Sequence, residues 1–580
     1  MAWGLLISGA LAASPVTRTP IDAAQLAELT TTIEDALDDA VDTRRAGGMG
    51  VALIIDGEVR WLQAAGLADR DAEREFDADT RVPVGELSRL ALVAIALRLQ
   101  ERGRLQLDDP LSRHWPDLPV QSRLGAEDLA TIRLRDLLTH HAGLSANAIH
   151  GMFHESGVDP EPPVQVQLRA PRVWMAESNL GYRLVGESLE RIAGMPFEVL
   201  WREEVAEPLG LPGGGYTPAA ADARLYRKGK PQPDLWARDR AALGLRLGLK
   251  ELALLTAALQ PEAASPWLSP QSRAEMQRVQ NADVVLDLGR QIGLGLELYD
   301  SVRPGAGKIA VLGSAYPNAR AEVRLALDHG VAVVGLSSWR ESTGELNDIL
   351  LSALDGLLQL RAGIPPRDKE RALPEQVDLP PGLSADSPAD RYATPAGLVD
   401  IQAEGERFDV RMVGFDFIAD VRADGWYRLR FRLLGVLPLR FDALSRVLIR
   451  PVRFGEKRLL VAYAQDRYFL FGSAYAPPQL VDPVWSQLSG TYRLANPDAL
   501  SRQLEVEEID LVLDEDLFAL RYELPFVLDL SPEMPLESAG PGRLRFAGFA
   551  PGLGEELEYR LDADGGVELR FSGYVLRREP

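Results

Sequence analysis

Cysteine is absent from the chain. That excludes disulfides, thiolate nucleophiles and cysteine-ligated zinc or iron–sulfur centres, and it suits an oxidising compartment. Positive charge is in the minority: 63 Lys and Arg stand against 85 Asp and Glu, a net charge of −22. Such a field repels phosphate backbones and anionic lipid, so nucleic acid is not an expected partner. Long apolar runs are scarce as well. Past the first residues no stretch approaches the roughly 20 apolar residues of a helical membrane span, so no span is expected. A metal centre lacks a ligand set. His140 and His141 are adjacent and cannot share one helical face, and no acidic partner stands at ligand spacing. His114, His150, His154 and His329 read as scattered in loops. No cofactor and no metal are expected.

What the chain does contain starts with MAWGLLISGALAASPV. This apolar run ends in the small residues Ala10, Ala12 and Ala13, a pattern like a signal-peptidase site. Residues 1–13 are therefore read as a signal peptide and the location as periplasmic or secreted. A length of 580 residues calls for about two to four domains. With 46% hydrophobic and 26% charged residues, a sizeable core can be buried. Residues 51–63 (VALIIDGEVRWLQ) alternate around an Asp-Gly turn and predict a β-hairpin. Residues 87–101 are apolar nearly all round, the mark of a helix buried on most sides, with Gly103 as its stop. Residues 132–140 predict a short helix. Residues 179–193 predict another, with Ser178 or Asn179 as N-cap and Gly194 as stop. Two strands meet at Asp328-His329-Gly330 within 319–337. Strands and helices thus mix over residues 14–363, an α+β pattern.

Composition then shifts. Residues 364–385 are rich in proline and charge and read as a linker. Beyond them helical periodicity fades and period-two alternation takes over, as in Trp426–Leu433 (WYRLRFRL). Tyr392 and Tyr492 open two stretches, and Phe471 and Phe571 close them, each pair offset by one hundred positions. Two tandem all-β meander or barrel modules are expected, at 386–480 and 484–580.

The most specific signal is Arg133-Leu134-Arg135-Asp136-Leu137-Leu138-Thr139-His140-His141-Ala142-Gly143-Leu144. Its flanks are GRLQLDDPLSRHWPDLP (103–119) and ESNLGYRLVGESLERIAGMPFEVLWREEVAEPLGL (177–211). Together, and in this order, these segments resemble the serine β-lactamase and penicillin-binding-protein superfamily over residues of about 30–350. The nearest branch is that of class C β-lactamases, their esterase relatives and D-aminopeptidases. The resemblance implies an antiparallel sheet flanked by helices, with a site between two subdomains. It also implies three catalytic elements: Ser-x-x-Lys at the start of the buried helix, Tyr-x-Asn, and a strand carrying Lys- or His-x-Gly. The β modules resemble, more weakly, the lipocalin-like barrels that some members append.

Each catalytic element departs from that pattern. Glu86 takes the nucleophile's slot and Arg89 the lysine's. Glu177-Ser178-Asn179 replaces Tyr-x-Asn, so that only Asn179 matches. Leu312, Gly313 and Ser314 occupy the third strand, and Lys308 lies too far upstream. A carboxylate is a poor nucleophile toward esters and amides, and arginine cannot act as a base at neutral pH. Three residues apart in a first helical turn, Glu86 and Arg89 share a face. Glu177 brings a second carboxylate, so a compensating Glu86–Arg89–Glu177 cluster is expected in the cleft. Ser88 sits about 200° round the helix from Glu86 and faces away; Ser178 is most simply an N-cap. Glu86 and Glu177 as an acid/base pair for glycoside hydrolysis is disfavoured, because an arginine between them holds both ionised.

These residues predict a catalytically inactive member that acts in the periplasm by binding. Its partner would be a peptidoglycan peptide or small acyl ligand in the cleft, or a partner protein. The alternative is an active serine hydrolase (esterase, peptidase or β-lactamase-like) with a rebuilt site. The β modules could add a protein partner or a homo-oligomer contact.

Overall fold

The computed structural model describes residues 18–44, 47–145, 149–155, 157, 160–162, 165–314, 316–368, 372–404, 407–412, 415–433, 437–439, 446–477, 482–504, 507–514, 517–522, 532–562 and 565–579. The segment read as a signal peptide, 1–13, lies outside them. Chain order begins with α1 (Ala23–Arg44), β1 (Gly48–Ile55), β2 (Glu58–Asp69), β3 (Arg74–Glu75), α2 (Ser88–Glu101), α3 (Leu134–Leu138), α4 (Asn179–Ala193) and α5 (Leu249–Leu259). It continues with β4 (Gln291–Ile292), β5 (Glu297–Asp300), β6 (Lys308–Ser314), β7 (Arg320–Ala326), β8 (Val331–Ser337) and α6 (Thr343–Ala362).

The strands form one eight-stranded sheet in the order β4-β5-β6-β7-β8-β1-β2-β3. Its centre is set by β1, GMGVALII, in which every residue is buried; such a run fits a strand covered on both faces. The expected hairpin forms around Asp56 and Gly57, both at positive φ, as a tight two-residue turn requires. The decisive pairing is non-local: β1 joins β8, with Met49 opposite Ser337 and Ile55 opposite Val331. On one face, α1 and α6 bury Leu37, Leu350 and Leu357 against Val51 and Val333. On the other lies α2, SRLALVAIALRLQE, whose Leu90 to Leu97 are all buried in the main core.

Two closed all-antiparallel barrels of eight strands follow. In the first, β9 (Arg391–Thr394), β10 (Gly397–Glu404), β11 (Arg407–Met412), β12 (Phe415–Val421), β13 (Tyr427–Leu433), β14 (Leu448–Phe454), β15 (Lys457–Ala464) and β16 (Arg467–Ala474) pair in sequence. The ring closes where Tyr392 faces Ala474. The second consists of β17 (Gly490–Leu494), β18 (Glu508–Asp514), β19 (Leu517–Arg521), β20 (Glu533–Ser538), β21 (Arg543–Phe546), β22 (Glu556–Leu561), β23 (Val567–Phe571) and β24 (Tyr574–Arg578). It closes through Arg493 opposite Arg577. Tyr392 and Tyr492 are equivalent, each fully buried in a first strand. Phe471 and Phe571 are not: Phe471 lies in the eighth strand of its barrel and Phe571 in the seventh. A helix, Ala499–Leu504, is inserted between β17 and β18, so a constant offset cannot carry through the second barrel.

The proline-rich segment is tied down where it meets the first barrel. Trp426 Nε1 donates to Val377 O (2.8 Å) and Arg422 Nη2 to Pro374 O (2.7 Å). The barrels share one apolar cluster with Trp174, Leu286 and Leu288 of the first domain. In it Phe549 meets Trp174 edge-on at 4.3 Å. No helix among the described residues is long and apolar enough to cross a membrane.

Candidate active site

A 3₁₀ turn, Gly85–Leu87, leads into α2. Gly85 has φ 51°, and a Cβ there would stand 2.1 Å from Ser314 Oγ, so only glycine lets this turn press against the end of β6. In the tighter 3₁₀ geometry residues three apart eclipse, which brings Glu86 and Arg89 to one side.

Arg89 is buried, with 4% of its surface exposed. Its Nη2 donates to Glu177 Oε1 at 2.8 Å and to Asn179 Oδ1 at 2.6 Å. The guanidinium stacks over the Tyr182 ring, 5.0 Å from its centroid. Burial works to lower the Arg89 pKa, but the charges of Glu177 and then Glu86 outweigh it and hold the group above its ordinary value. Glu177 is also buried on the protein side, which pushes its pKa up; Arg89 more than reverses this and keeps the carboxylate below its usual range. The other side of Glu177 is open, its side chain 49% exposed.

Glu177 is delivered by the two histidines. His140, at φ 62°, accepts the Ala176 N–H on its carbonyl (2.9 Å) and the Ser178 N–H on Nδ1 (3.1 Å). A neutral ring that accepts at Nδ1 carries its proton on Nε2. That nitrogen lies 3.3 Å from Arg89 Nη1, donor against donor. Burial, and then the positive charge of Arg89, push the His140 pKa down to about 3. His141 Nε2 meets Asp287 Oδ2 at 2.7 Å, and Asp287 Oδ1 accepts the Met175 N–H at 2.7 Å. The acidic partner missing at local spacing comes from a distant 3₁₀ turn, Val285–Asp287, where it braces a backbone segment.

Two of the remaining serines, Ser88 and Ser178, serve backbone groups. Ser88 is fully buried; its hydroxyl donates to Gly85 O (2.6 Å) and accepts the Leu245 N–H (3.0 Å). Ser178 Oγ caps α4 by accepting from Gly181 N at 3.1 Å. Ser314 Oγ accepts from Tyr316 N at 3.4 Å. Leu312 packs against the main core and Gly313 is exposed. Lys308 is at the far end of β6, where Nζ binds Gln291 Oε1 (2.6 Å) and Asp300 Oδ1 (3.0 Å). Two of the other histidines differ from the loop reading: His154 lies in the strand Phe153–His154, and His114 ends the helix Leu111–His114 and bonds Asp109 at 3.0 Å, whereas His150 and His329 lie in turns.

Glu86, Glu177, Gly313 and Ser314 converge on a recess of roughly 290 Å³ that Arg320 and Asn347 complete. Motif spacing did not reveal these last two. Arg320 opens β7 and is fixed by Tyr316 O (2.7 Å), Ala319 O (2.6 Å) and Thr343 Oγ1 (2.7 Å). The charge of Glu86 acts on both Arg89 and Arg320. The recess presents carboxylates to solvent above a matched, buried cation. The Ser88 and Ser178 hydroxyls are hydrogen-bonded to backbone groups and not to a side-chain base.

Comparison with known proteins bears on the first domain. The family model described as Beta-lactamase matches residues 33–356. Esterase EstB of Burkholderia gladioli is 30% identical over 231 residues, covering 37% of this chain and 58% of that protein. The D-alanyl-D-alanine-carboxypeptidase/endopeptidase AmpH of Escherichia coli (strain K12) is 27% identical over 189 residues, 31% of this chain and 48% of its own. The chain spans about half the length of such curated relatives. A solved structure titled "Crystal structure of SurE" superposes with a TM-score of 0.53 at 18% identity, over 77% of this chain and 99% of that one, a likeness of fold alone.

Proposed function

The chain belongs to the Beta-lactamase family of serine hydrolases, and from that premise we propose that it is a non-catalytic member which binds a ligand in the degenerate cleft. The observation that carries this reading is Arg89, locked between Glu177 and Asn179 at 2.8 and 2.6 Å. The family's reaction needs a hydroxyl there and a base that can take its proton; the site offers Glu86 and a guanidinium that never deprotonates. Ser88, the one hydroxyl in the first turn of α2, serves the backbone. The ligand class follows from two supports. The open Glu177 carboxylate favours a group that donates hydrogen bonds or carries positive charge. The relative named for D-alanyl-D-alanine chemistry points to a cell-wall peptide. Export to the periplasm rests on the apolar, small-residue N-terminus and the lack of cysteine.

The test is covalent labelling. Purified protein, treated with a fluorescent penicillin and separately with a fluorophosphonate probe, should remain unmarked. An adduct on any side chain of the recess, with matching turnover, overturns the proposal. Calorimetry with a peptide ending in D-alanyl-D-alanine should then show saturable binding that Glu177→Gln weakens.

A further inference from the structure

A second cavity lies between the first domain and the first barrel. Its walls are β5 and the loop to Arg303, the face of α6 around Asn347 and Asp355, the segment after α6, and the β15–β16 turn at Gln465-Asp466. At roughly 740 Å³ it has the size of a small-molecule site, and a domain interface is where such sites tend to form.

Three arginines of the first domain and the segment after it line this cleft: Arg303, Arg324 and Arg367. Two of them share a single carboxylate. Asp355, 9% exposed at its side chain, takes Arg303 Nη1 on Oδ1 (2.8 Å) and Arg367 Nε on Oδ2 (3.2 Å). Arg324 pairs with Glu322 through Nε and donates from Nη2 to Asn347 Oδ1 at 2.8 Å. Among the described residues, Arg303 Nε and Nη2, Arg324 Nη1, and both terminal nitrogens of Arg367 have no hydrogen-bond partner. Locally, around Asp355 and Glu322, three cations therefore answer to two carboxylates, with donors left over; Arg446 and Arg467 also line the cleft, and Arg467 pairs with Glu297 at 2.8 Å. Among the described residues, none of the cleft's other carboxylates bonds to these three arginines. Asp300 is held by Lys308 and Gln291, Asp466 Oδ1 accepts the Tyr463 hydroxyl at 3.0 Å, and Asp348 and Asp368 are exposed. Burial, and then Arg324 and Arg303, outweigh Asp355 and hold the Arg367 pKa below its ordinary value, as expected where positive charge is not fully offset.

We propose that this interdomain cleft is a binding site for an oxyanion-bearing ligand, whose carboxylate or phosphate the unmatched guanidinium donors of Arg303, Arg324 and Arg367 receive. The planar fork of arginine suits both groups through paired N–H···O bonds. The site adjoins the degenerate recess: Asn347 lines both, and the Glu322–Arg324–Asn347 contact stands between them.

Isothermal titration of the full chain with inorganic phosphate, and separately with glutarate, tests the site, with sodium chloride at matched ionic strength as the reference. A saturable isotherm with at least one of them is expected. Phosphate alone assigns a phosphorylated ligand and glutarate alone a carboxylate. Arg367→Gln should weaken binding about tenfold, the loss of one charged hydrogen-bonded partner, and Arg367→Lys should restore part of it. The exposed Gln465→Glu, which adds negative charge to the opposite wall without touching the arginines, should weaken it several-fold. No saturation with either anion, an equal effect of sodium chloride, or unchanged affinity in both Arg367→Gln and Gln465→Glu overturns the proposal.

Discussion

Arg89, beneath the degenerate recess, and Arg367, in the wall of the interdomain cleft, each answer to a carboxylate, yet their settings are opposite. Arg89 is enclosed: Glu177, Asn179 and the Tyr182 ring surround it, and Glu86 adds its charge. The Arg367 side chain, half-buried at 29% exposure, touches its carboxylate through Nε while its backbone N–H donates to the same oxygen, and it shares that carboxylate with Arg303. The difference teaches how a guanidinium silences or equips a cavity. Where its charge is matched by the protein, it neutralises the site and contributes shape, although Nε of Arg89 is buried without a hydrogen-bond partner among the described residues. Where its donors exceed the carboxylates around them, the deficit is a demand that a ligand can meet.

The comparison can be pressed hardest at His140. Its folded pKa of about 3 lies below the ordinary 6.5, so between those values the unfolded chain binds a proton that the native state refuses. Stability from this group is whole above pH of about 6.5 and is lost progressively as pH falls toward about 3, a loss of about 4 kcal/mol. Urea midpoints measured from pH 7 to pH 4 should fall accordingly, and His140→Gln should flatten that slope. A slope unchanged in His140→Gln would remove His140 from the electrostatics of Arg89. Next in size is Glu177→Gln, which leaves a buried guanidinium short of its nearest countercharge. It should cost about 3 kcal/mol by urea denaturation. Arg367→Gln should cost less, about 1 kcal/mol without ligand, since Arg367 is partly exposed and the buried Asp355 keeps Arg303 as its countercharge. Equal losses at Glu177 and Arg367 would erase the contrast between the two cavities. Smallest of all is the change from Glu86→Ser with Arg89→Lys. The restored pair still lacks the shuttle tyrosine at Glu177 and any Lys or His at Leu312, so fluorescent penicillin should stay unincorporated. Strong labelling would show that the two slots alone had silenced the site.

Much of the architecture was legible in short-range pattern. The all-round apolar run of α2, the Asp56-Gly57 hairpin and the Ser178 cap depend on neighbours within one or two turns. The barrels announced themselves by alternation, and Tyr392 and Tyr492 marked their first strands. The parallel offset of Phe471 and Phe571 misled because the inserted helix Ala499–Leu504 changes the spacing. In the recess, Glu86 and Arg89 could be read from a separation of three, and Glu177 from its place before Asn179. Asp287, Arg320 and Asn347 could not, since no local spacing links them to α2. Their positions follow from sheet order and from loops that return across the site.

The amino-acid sequence alone determined which groups stand at the three motif positions, because side-chain chemistry at a fixed spacing does not depend on the rest of the chain. It therefore excluded a serine–lysine pair at the start of α2. Only the tertiary structure decided which charges are matched. Whether a guanidinium is enclosed, as Arg89 is, or part-exposed with its carboxylate shared, as Arg367 is, depends on burial and on partners outside its own helical turn, 88 and 90 positions away for Arg89. Those are set by how the sheet closes β1 onto β8 and how the first barrel seats against it.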